Sequence, residues 1–238
     1  MDLTGQVAII TGASSGIGAA VARELDAAGM KLVLNARRTE RLEALAADLT
    51  HSEVVAADIR DDNLPQNLID AAVEHFGAVD VVFNNAGIMD TATIDDSDID
   101  RLCANLRVNL EAATRLAYVA LSYLKPRGRG DLINTSSILG TKVRPTAGVY
   151  AASKHGIEAL TEALRMEVAG TGVRVACIEP GLVATELQDH FEVHPRDALG
   201  IKEPLQPADI ARCVRFMLEQ PRHVTIPRLM VLPAEQPM

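Results

Sequence analysis

The sequence contains no tryptophan, and its 238 residues include only four Phe and three Tyr. A nucleic-acid surface needs aromatic platforms and a basic face. Neither is present: 23 Lys and Arg stand against 32 Asp and Glu, for a formal charge of −9, with no long basic run. Nucleic acid is therefore excluded as the expected partner. Cysteine is scarce as well. Cys103, Cys177 and Cys213 are odd in number, far apart and outside any C-x-x-C pair, so each reads as a small buried hydrophobe rather than part of a disulfide framework or zinc knot. No metal site is expected. No window approaches the roughly 18 uninterrupted apolar residues of a membrane span, and the start, Met1-Asp2-Leu3-Thr4-Gly5-Gln6, lacks a basic, apolar leader. The expectation is a cytoplasmic protein with no membrane partner. Fixed-period repeats, low-complexity tracts and Pro/Ser-rich linkers are missing too, which at about 100–200 residues per domain predicts one domain over 1–238.

What the chain has in quantity is aliphatic: 48% of it is apolar, with almost no aromatic bulk. That composition suits a buried parallel sheet flanked by helices. Short β-branched runs at 7–10, 31–35, 54–57, 79–84, 131–135, 173–178 and 229–232 alternate with stretches of helical spacing, the first at 17–28. This rhythm predicts an α/β fold: a doubly wound, mostly parallel seven-stranded sheet with helices on both faces in three αβα layers. A polar stretch at about 188–206, with Pro195 and Pro204, breaks the rhythm and reads as a long excursion from the sheet, a candidate lid.

The first strand runs into Thr11-Gly12-Ala13-Ser14-Ser15-Gly16-Ile17-Gly18. Glycines here permit a tight strand-to-helix turn, let backbone approach a pyrophosphate, and aim helix N-terminal N–H groups at the anion. A glycine turn that only packs helix on strand is the bland alternative. About 20 residues further on, dinucleotide folds that hold a ribose 2′-hydroxyl present a carboxylate. This chain instead reads Leu34-Asn35-Ala36-Arg37-Arg38. Two guanidiniums favour a 2′-phosphate, and so NADP(H) over NAD(H), unless they merely cap the strand.

Tyr150 and Lys154 open a further helical stretch, and their i, i+4 spacing places both on one face. Read alone, Asn109 is a polar helix residue, and Ser136 and Ser137 are interchangeable strand-end hydroxyls. Taken together with Asp58, with Asn84-Asn85-Ala86-Gly87, Val108-Asn109-Leu110 and Asn134-Thr135-Ser136-Ser137, and with Pro180-Gly181 leading to Thr185, the chain resembles the short-chain dehydrogenase/reductase family over nearly its whole length. The resemblance implies a Rossmann-type fold and a catalytic set of Asn109, Ser137, Tyr150 and Lys154, with Ser137 chosen by its thirteen-residue spacing to Tyr150. Tyr150 would act as general acid/base, Ser137 would hold the carbonyl oxygen, and Lys154 would lower the phenol pKa together with the nicotinamide cation and bind the nicotinamide ribose. It also implies a cofactor shell. Gly12, Ser14, Ser15, Ile17 and Gly18 would surround the pyrophosphate, and Arg37 with Arg38 the 2′-phosphate. Asp58 and Ile59 would meet the adenine, Asn85, Ala86 and Gly87 the adenosine side, and Pro180, Gly181, Val183 and Thr185 the nicotinamide.

The last glycine is Gly200, so the paired glycine that many members carry after the final strand is missing. That ending and Ala36-Arg37-Arg38 resemble an NADP-preferring subgroup that contains clavulanic acid dehydrogenase. Family habit implies a homotetramer, with a dimer as fallback. Expected pocket residues are Met89, Ile138, Leu139, Arg144, Leu182, His190, Phe191 and His194, around a small carbonyl or alcohol substrate. Arg144 fits either an anionic substrate or a solvated loop, and His155 reads as a plain helix residue. The alternative to a reductase is a cofactor-binding regulator with a redox-sensing fold, which has no need for an alkoxide site.

Overall fold

The computed structural model describes residues 1–237. Its strands are β1 (Val7–Thr11), β2 (Lys31–Ala36), β3 (Ser52–Ala56), β4 (Val81–Asn84), β5 (Gly130–Thr135), β6 (Val173–Pro180) and β7 (Arg228–Val231). They form one sheet in the order β3-β2-β1-β4-β5-β6-β7, and every pairing is parallel. Every residue of β1, β4 and β6 is buried. A strand covered on both faces has no solvent side to alternate toward, which is why β1 and β4 are apolar almost throughout, while β6 also buries Arg174 and Glu179.

The crossovers are helical: α1 (Gly16–Ala27), α2 (Thr39–Ala47), α3 (Leu64–Phe76), α4 (Ile99–Leu106), α5 (Ala113–Leu124), α6 (Gly148–Glu167), α7 (Pro195–Ala198) and α8 (Pro207–Glu219). Two cores make the three layers. Val21 and Leu25 of α1, Leu42 of α2 and Val214 of α8 pack with Ile10 and Phe83 on one face. Leu68 of α3, Leu116 of α5 and Leu164 of α6 pack with Ile9 and Val82 on the other. A π-helical turn, Arg107–Ala112, joins α4 to α5 and carries Asn109. Among the described residues, no helix is long and apolar enough to cross a membrane.

The sheet is wholly rather than mostly parallel, and strand ends move by one or two residues from the sequence expectation. The excursion also starts earlier. Leu205 N donates to Leu182 O at 3.0 Å and Ala184 N to Leu205 O at 2.8 Å, so the segment is stapled at both feet. Polar composition marked its end but not its start.

Strand order reverses between β1 and β4, and an open parallel sheet leaves a crevice at the carboxyl ends of its strands at such a point. What allows α1 to start beside that crevice is Gly18. A Cβ there would lie 2.3 Å from the Gly12 carbonyl oxygen, backbone that cannot swing away. Gly18→Ala is expected to cost about 1–3 kcal/mol, read as a lower urea midpoint. Gly148→Ala, at the open start of α6 with nothing within 4 Å, is expected to be neutral or mildly stabilising. Equal midpoints for the two variants would contradict this reading of the α1 contact.

Candidate active site

The floor of the crevice is knotted by three strand ends. Thr11 Oγ1 accepts from Asn85 N at 2.9 Å and Ala86 N at 3.0 Å, and Asn85 Nδ2 donates to Thr11 O at 3.0 Å. Thr135 Oγ1 donates to Asn85 Oδ1 at 3.2 Å, which brings in β5. Gly12, at φ +68°, lets the turn lie against this knot, since a Cβ would meet Ala86 Cα at 3.0 Å. The resulting cleft holds about 730 Å³. Every residue assigned to the site from sequence lines it except Gly18 and Asn109. Those two act from behind the wall. Gly18 admits α1, and Asn109 clamps Ile88, donating to Ile88 O and accepting from Ile88 N at 2.9 Å each.

At one end the cleft is cationic. Arg38 Nη2 donates to Ser14 Oγ at 3.0 Å and Ser15 Oγ at 2.7 Å, and its Nη1 reaches Glu186 Oε2 at 2.8 Å. Arg41 Nη1 takes the other oxygen, Glu186 Oε1, at 2.5 Å. The two guanidiniums hold the Glu186 carboxyl below the usual carboxylate range. Both arginines expected at this end line the cleft, and Arg38 is the one that folds over the glycine turn. Arg37 lines the cleft but makes no ion pair among the described residues. Arg41, one helical turn along, and Glu186 were not foreseen. Nearby, the Arg60 guanidinium beside Asp58 holds that carboxyl down to about 2.

At the other end, α6 turns Tyr150 and Lys154 to the cleft on one buried face. Lys154 Nζ donates to Thr135 O at 2.9 Å. Ser136 Oγ points back to Lys154 O at 3.4 Å, whereas Ser137 Oγ accepts from Leu139 N at 3.2 Å and lies on the Tyr150 side. The two hydroxyls that were equivalent in sequence therefore face opposite ways. Burial pushes Tyr150 up to about 12, with the Ser137 hydrogen bond and the Arg144 charge pulling against it. Burial also pushes Lys154 down to about 8. In the protein alone Lys154 does not lower the phenol; the lowering expected of it is shared with the nicotinamide cation. The ammonium is spent on Thr135 O, and desolvation dominates both groups.

Met89, Ile138, Leu139, Arg144, Leu182 and His190 line the cleft as expected, but Phe191 and His194 do not. Phe191 packs on the His190 ring at 4.2 Å, and His194 Nδ1 caps α7 by accepting from Arg196 N at 3.1 Å. His155 Nδ1 lies 2.9 Å from Ala151 O within its own helix. The C-terminal tail supplies a wall that no sequence signal announced. Gln236 Oε1 accepts from Leu182 N at 2.8 Å, and a Cβ on Gly181 would collide with it at 2.4 Å.

One helical turn beyond Lys154, Glu158 is buried and faces buried Glu179 on β6. Cys177 Sγ donates to Glu158 Oε1 at 3.3 Å, and half-exposed Arg228 lies 3.2 Å from Glu158 Oε2 and 3.8 Å from Glu179 Oε1. One guanidinium serves two desolvated carboxyls. Burial and the Glu158 charge push Glu179 up to about 7.

Comparison with known proteins gives a consistent picture. The family model described as short chain dehydrogenase matches residues 6–195. An uncharacterized oxidoreductase of Staphylococcus aureus strain USA300 is 36% identical over 233 residues, covering 97% of this chain and 98% of that protein. A glycine betaine reductase of Emericella nidulans is 37% identical over 248 residues, 99% of this chain but 19% of that longer protein. Among solved structures, the closed form of a serine dehydrogenase complexed with NADP+ superposes with a TM-score of 0.91 at 25% identity, covering 98% of this chain and 97% of the other. An alcohol dehydrogenase from the archaeon Thermococcus sibiricus, complexed with 5-hydroxy-NADP, gives 0.87 at 30% identity, with 98% of each chain covered.

Glu179 sets a pH dependence of stability. Its folded value near 7 exceeds the ordinary 4.5, so across that interval the native state binds more protons than the unfolded chain. Stability from this group is full below the ordinary value and is lost as pH rises from about 4.5 through about 7. Thermal melts of Glu179→Gln are expected to lack that fall. A wild-type slope retained in the variant would assign the proton elsewhere.

Proposed function

The chain belongs to the short-chain dehydrogenase family and is one of its oxidoreductases, and on that premise we propose that it transfers hydride between NADP(H) and a ketone, aldehyde or secondary alcohol. The observation that carries this reading is the single cleft wall on which Ser137, Tyr150 and Lys154 meet. A redox-sensing regulator would have no use for that arrangement.

The cleft fits the cofactor. Its volume lies within the roughly 300–1,000 Å³ of small-molecule sites, and Gly12 and Gly18 leave backbone where a side chain would fill the cradle. When bound, the nicotinamide supplies or accepts the hydride and, oxidised, presents a positive ring. In the reducing direction Tyr150 donates its phenolic proton to the carbonyl oxygen as charge develops there, and Ser137 donates the second hydrogen bond. A phenol held near 12 is a proton donor at neutral pH. Lys154 has three donors and spends one on Thr135 O, leaving two for a ribose hydroxyl. In the oxidising direction Tyr150 must be deprotonated, and a neighbouring positive charge lowers the cost of that.

Arg38, with Ser14 and Ser15, is the assigned 2′-phosphate grip, supported by charge-assisted geometry and by the missing acid at the end of β2. The same features support the clavulanic acid dehydrogenase-like, NADP-preferring subgroup.

A panel of ketones, aldehydes and secondary alcohols, followed at the nicotinamide absorbance with NADP(H) and NAD(H), tests the reading. Tyr150→Phe is expected to lose about 10²–10⁴-fold in kcat; unchanged turnover would remove Tyr150 from the chemistry. Arg38→Asp is expected to weaken NADPH binding by about tenfold or more relative to NADH. An unaltered NADPH/NADH ratio of dissociation constants would refute the grip.

A further inference from the structure

Arg144 is a cationic side chain on the wall of the reacting site to which the proposed reaction gives no task. It stands six residues before Tyr150, on the loop between the turn Ile138–Gly140 and α6, and it lines the cleft with Tyr150 and Ser137. Its Nε is buried with no hydrogen-bond partner. Among the described residues no carboxylate lies within ion-pair reach of it, because the acids on the cleft wall are already committed. Asp90 is paired to Arg101 at 2.6 Å, Asp58 to Arg60 at 2.7 Å, and Glu186 to Arg38 and Arg41.

A buried donor left unmade costs about 1–3 kcal/mol, and here the backbone does not relax to relieve it. Thr146 sits at φ +68°, where a β-branched residue is rare. Its carbonyl accepts from Ala92 N at 3.1 Å, and Ala147 N reaches Arg144 O at 3.4 Å. The loop that presents Arg144 is therefore held in an uncommon conformation with the guanidinium Nε unanswered. Unrelieved strain of this kind is found at ligand sites. The guanidinium is also close enough to Tyr150 for its charge to act on the phenol.

We propose that Arg144 receives a carboxylate carried by the substrate, which makes the physiological substrates oxo acids and the corresponding hydroxy acids rather than neutral carbonyl compounds. The planar fork of a guanidinium matches a carboxylate with two parallel hydrogen bonds. The inference rests on the reductase reading and specifies its substrate class. The reaction balances as oxo acid plus NADPH plus a proton giving hydroxy acid plus NADP+. Hydride adds to the carbonyl carbon, the C=O π pair moves to oxygen, and Tyr150 supplies the proton there. Arg144 takes no part in the bond changes. It is a specificity-determining residue that orients the carbonyl against Tyr150 and Ser137.

The test pairs pyruvate, acetoacetate and levulinate with their ethyl esters and measures kcat/KM with NADPH for the wild type, Arg144→Met and Arg144→Lys. The three acids place the carboxylate at increasing distance from the carbonyl, so the panel also reads the span between the fork and Tyr150. The wild type is expected to prefer at least one acid over its ester by about tenfold or more. Arg144→Met is expected to cut that preference by about 10- to 100-fold, chiefly through KM, and Arg144→Lys to restore part of it. Arg144→Gln replaces the methionine variant if that one does not fold. An acid-to-ester ratio unchanged in Arg144→Met overturns the assignment, as does a wild-type preference for the esters. If no carbonyl compound is turned over, the reductase reading is what has failed. Calorimetric titration of levulinate and acetoacetate in the presence of NADP+ then decides for Arg144 separately. Binding lost in Arg144→Met supports the carboxylate site, and binding absent from the wild type or retained in the variant overturns it.

Discussion

The approach of Gly18 to the carbonyl of Gly12 is the constraint around which the cleft is built. Because no side chain intervenes, α1 begins directly behind the β1 turn, and its N-terminal N–H groups open toward the crevice. Gly12 in turn lies against Ala86, and a Cβ on Gly16 would meet Thr185 Cγ2 at 3.0 Å. Bare backbone thus touches the strand ends from both halves of the sheet. Thr11, Asn85 and Thr135 then tie β1, β4 and β5 together with hydrogen bonds. The wall that carries Ser137, Tyr150 and Lys154 stands on that knot.

Burial decides the electrostatics above it. The same desolvation that raises Tyr150 lowers Lys154, so the two groups are both biased toward their uncharged forms. The helical spacing brings them to one face, yet the contact that fixes Lys154 is the backbone carbonyl of Thr135, two residues before Ser137. Strand β5 and helix α6 are therefore coupled through the lysine, and the position of the ammonium is set by the sheet rather than by the phenol.

Much of this was legible in the residues. The β-branched runs located all the strands to within one or two residues, because a sheet buried on both faces needs uninterrupted apolar chain. The glycine turn and the i, i+4 pair each obey a local geometric rule, whereas the strand-end polar residues were tied to the same cleft by the family resemblance. What stayed hidden depends on tertiary approach. Nothing in Arg37-Arg38 says which guanidinium folds over the turn, and the answer comes from Ser14, Ser15 and a glutamate 148 residues away. Gln236 closes the cleft at Leu182 only because the tail doubles back over Gly181. Phe191 and His194 share a polar segment with His190, but stapling at Leu182 and Leu205 and the start of α7 turn them aside.

Glu186 sits one residue past Thr185, with its two oxygens divided between Arg38 and Arg41. The cationic end of the cleft thus carries its own anion, tethered to the segment that leads into the excursion. Any dianionic group that settles on Arg38 enters by exchange, replacing a carboxylate instead of neutralising bare charge. The electrostatic gain is reduced by what the carboxylate gives up, and the freed glutamate carries its new freedom into the turn at Glu186–Gln188.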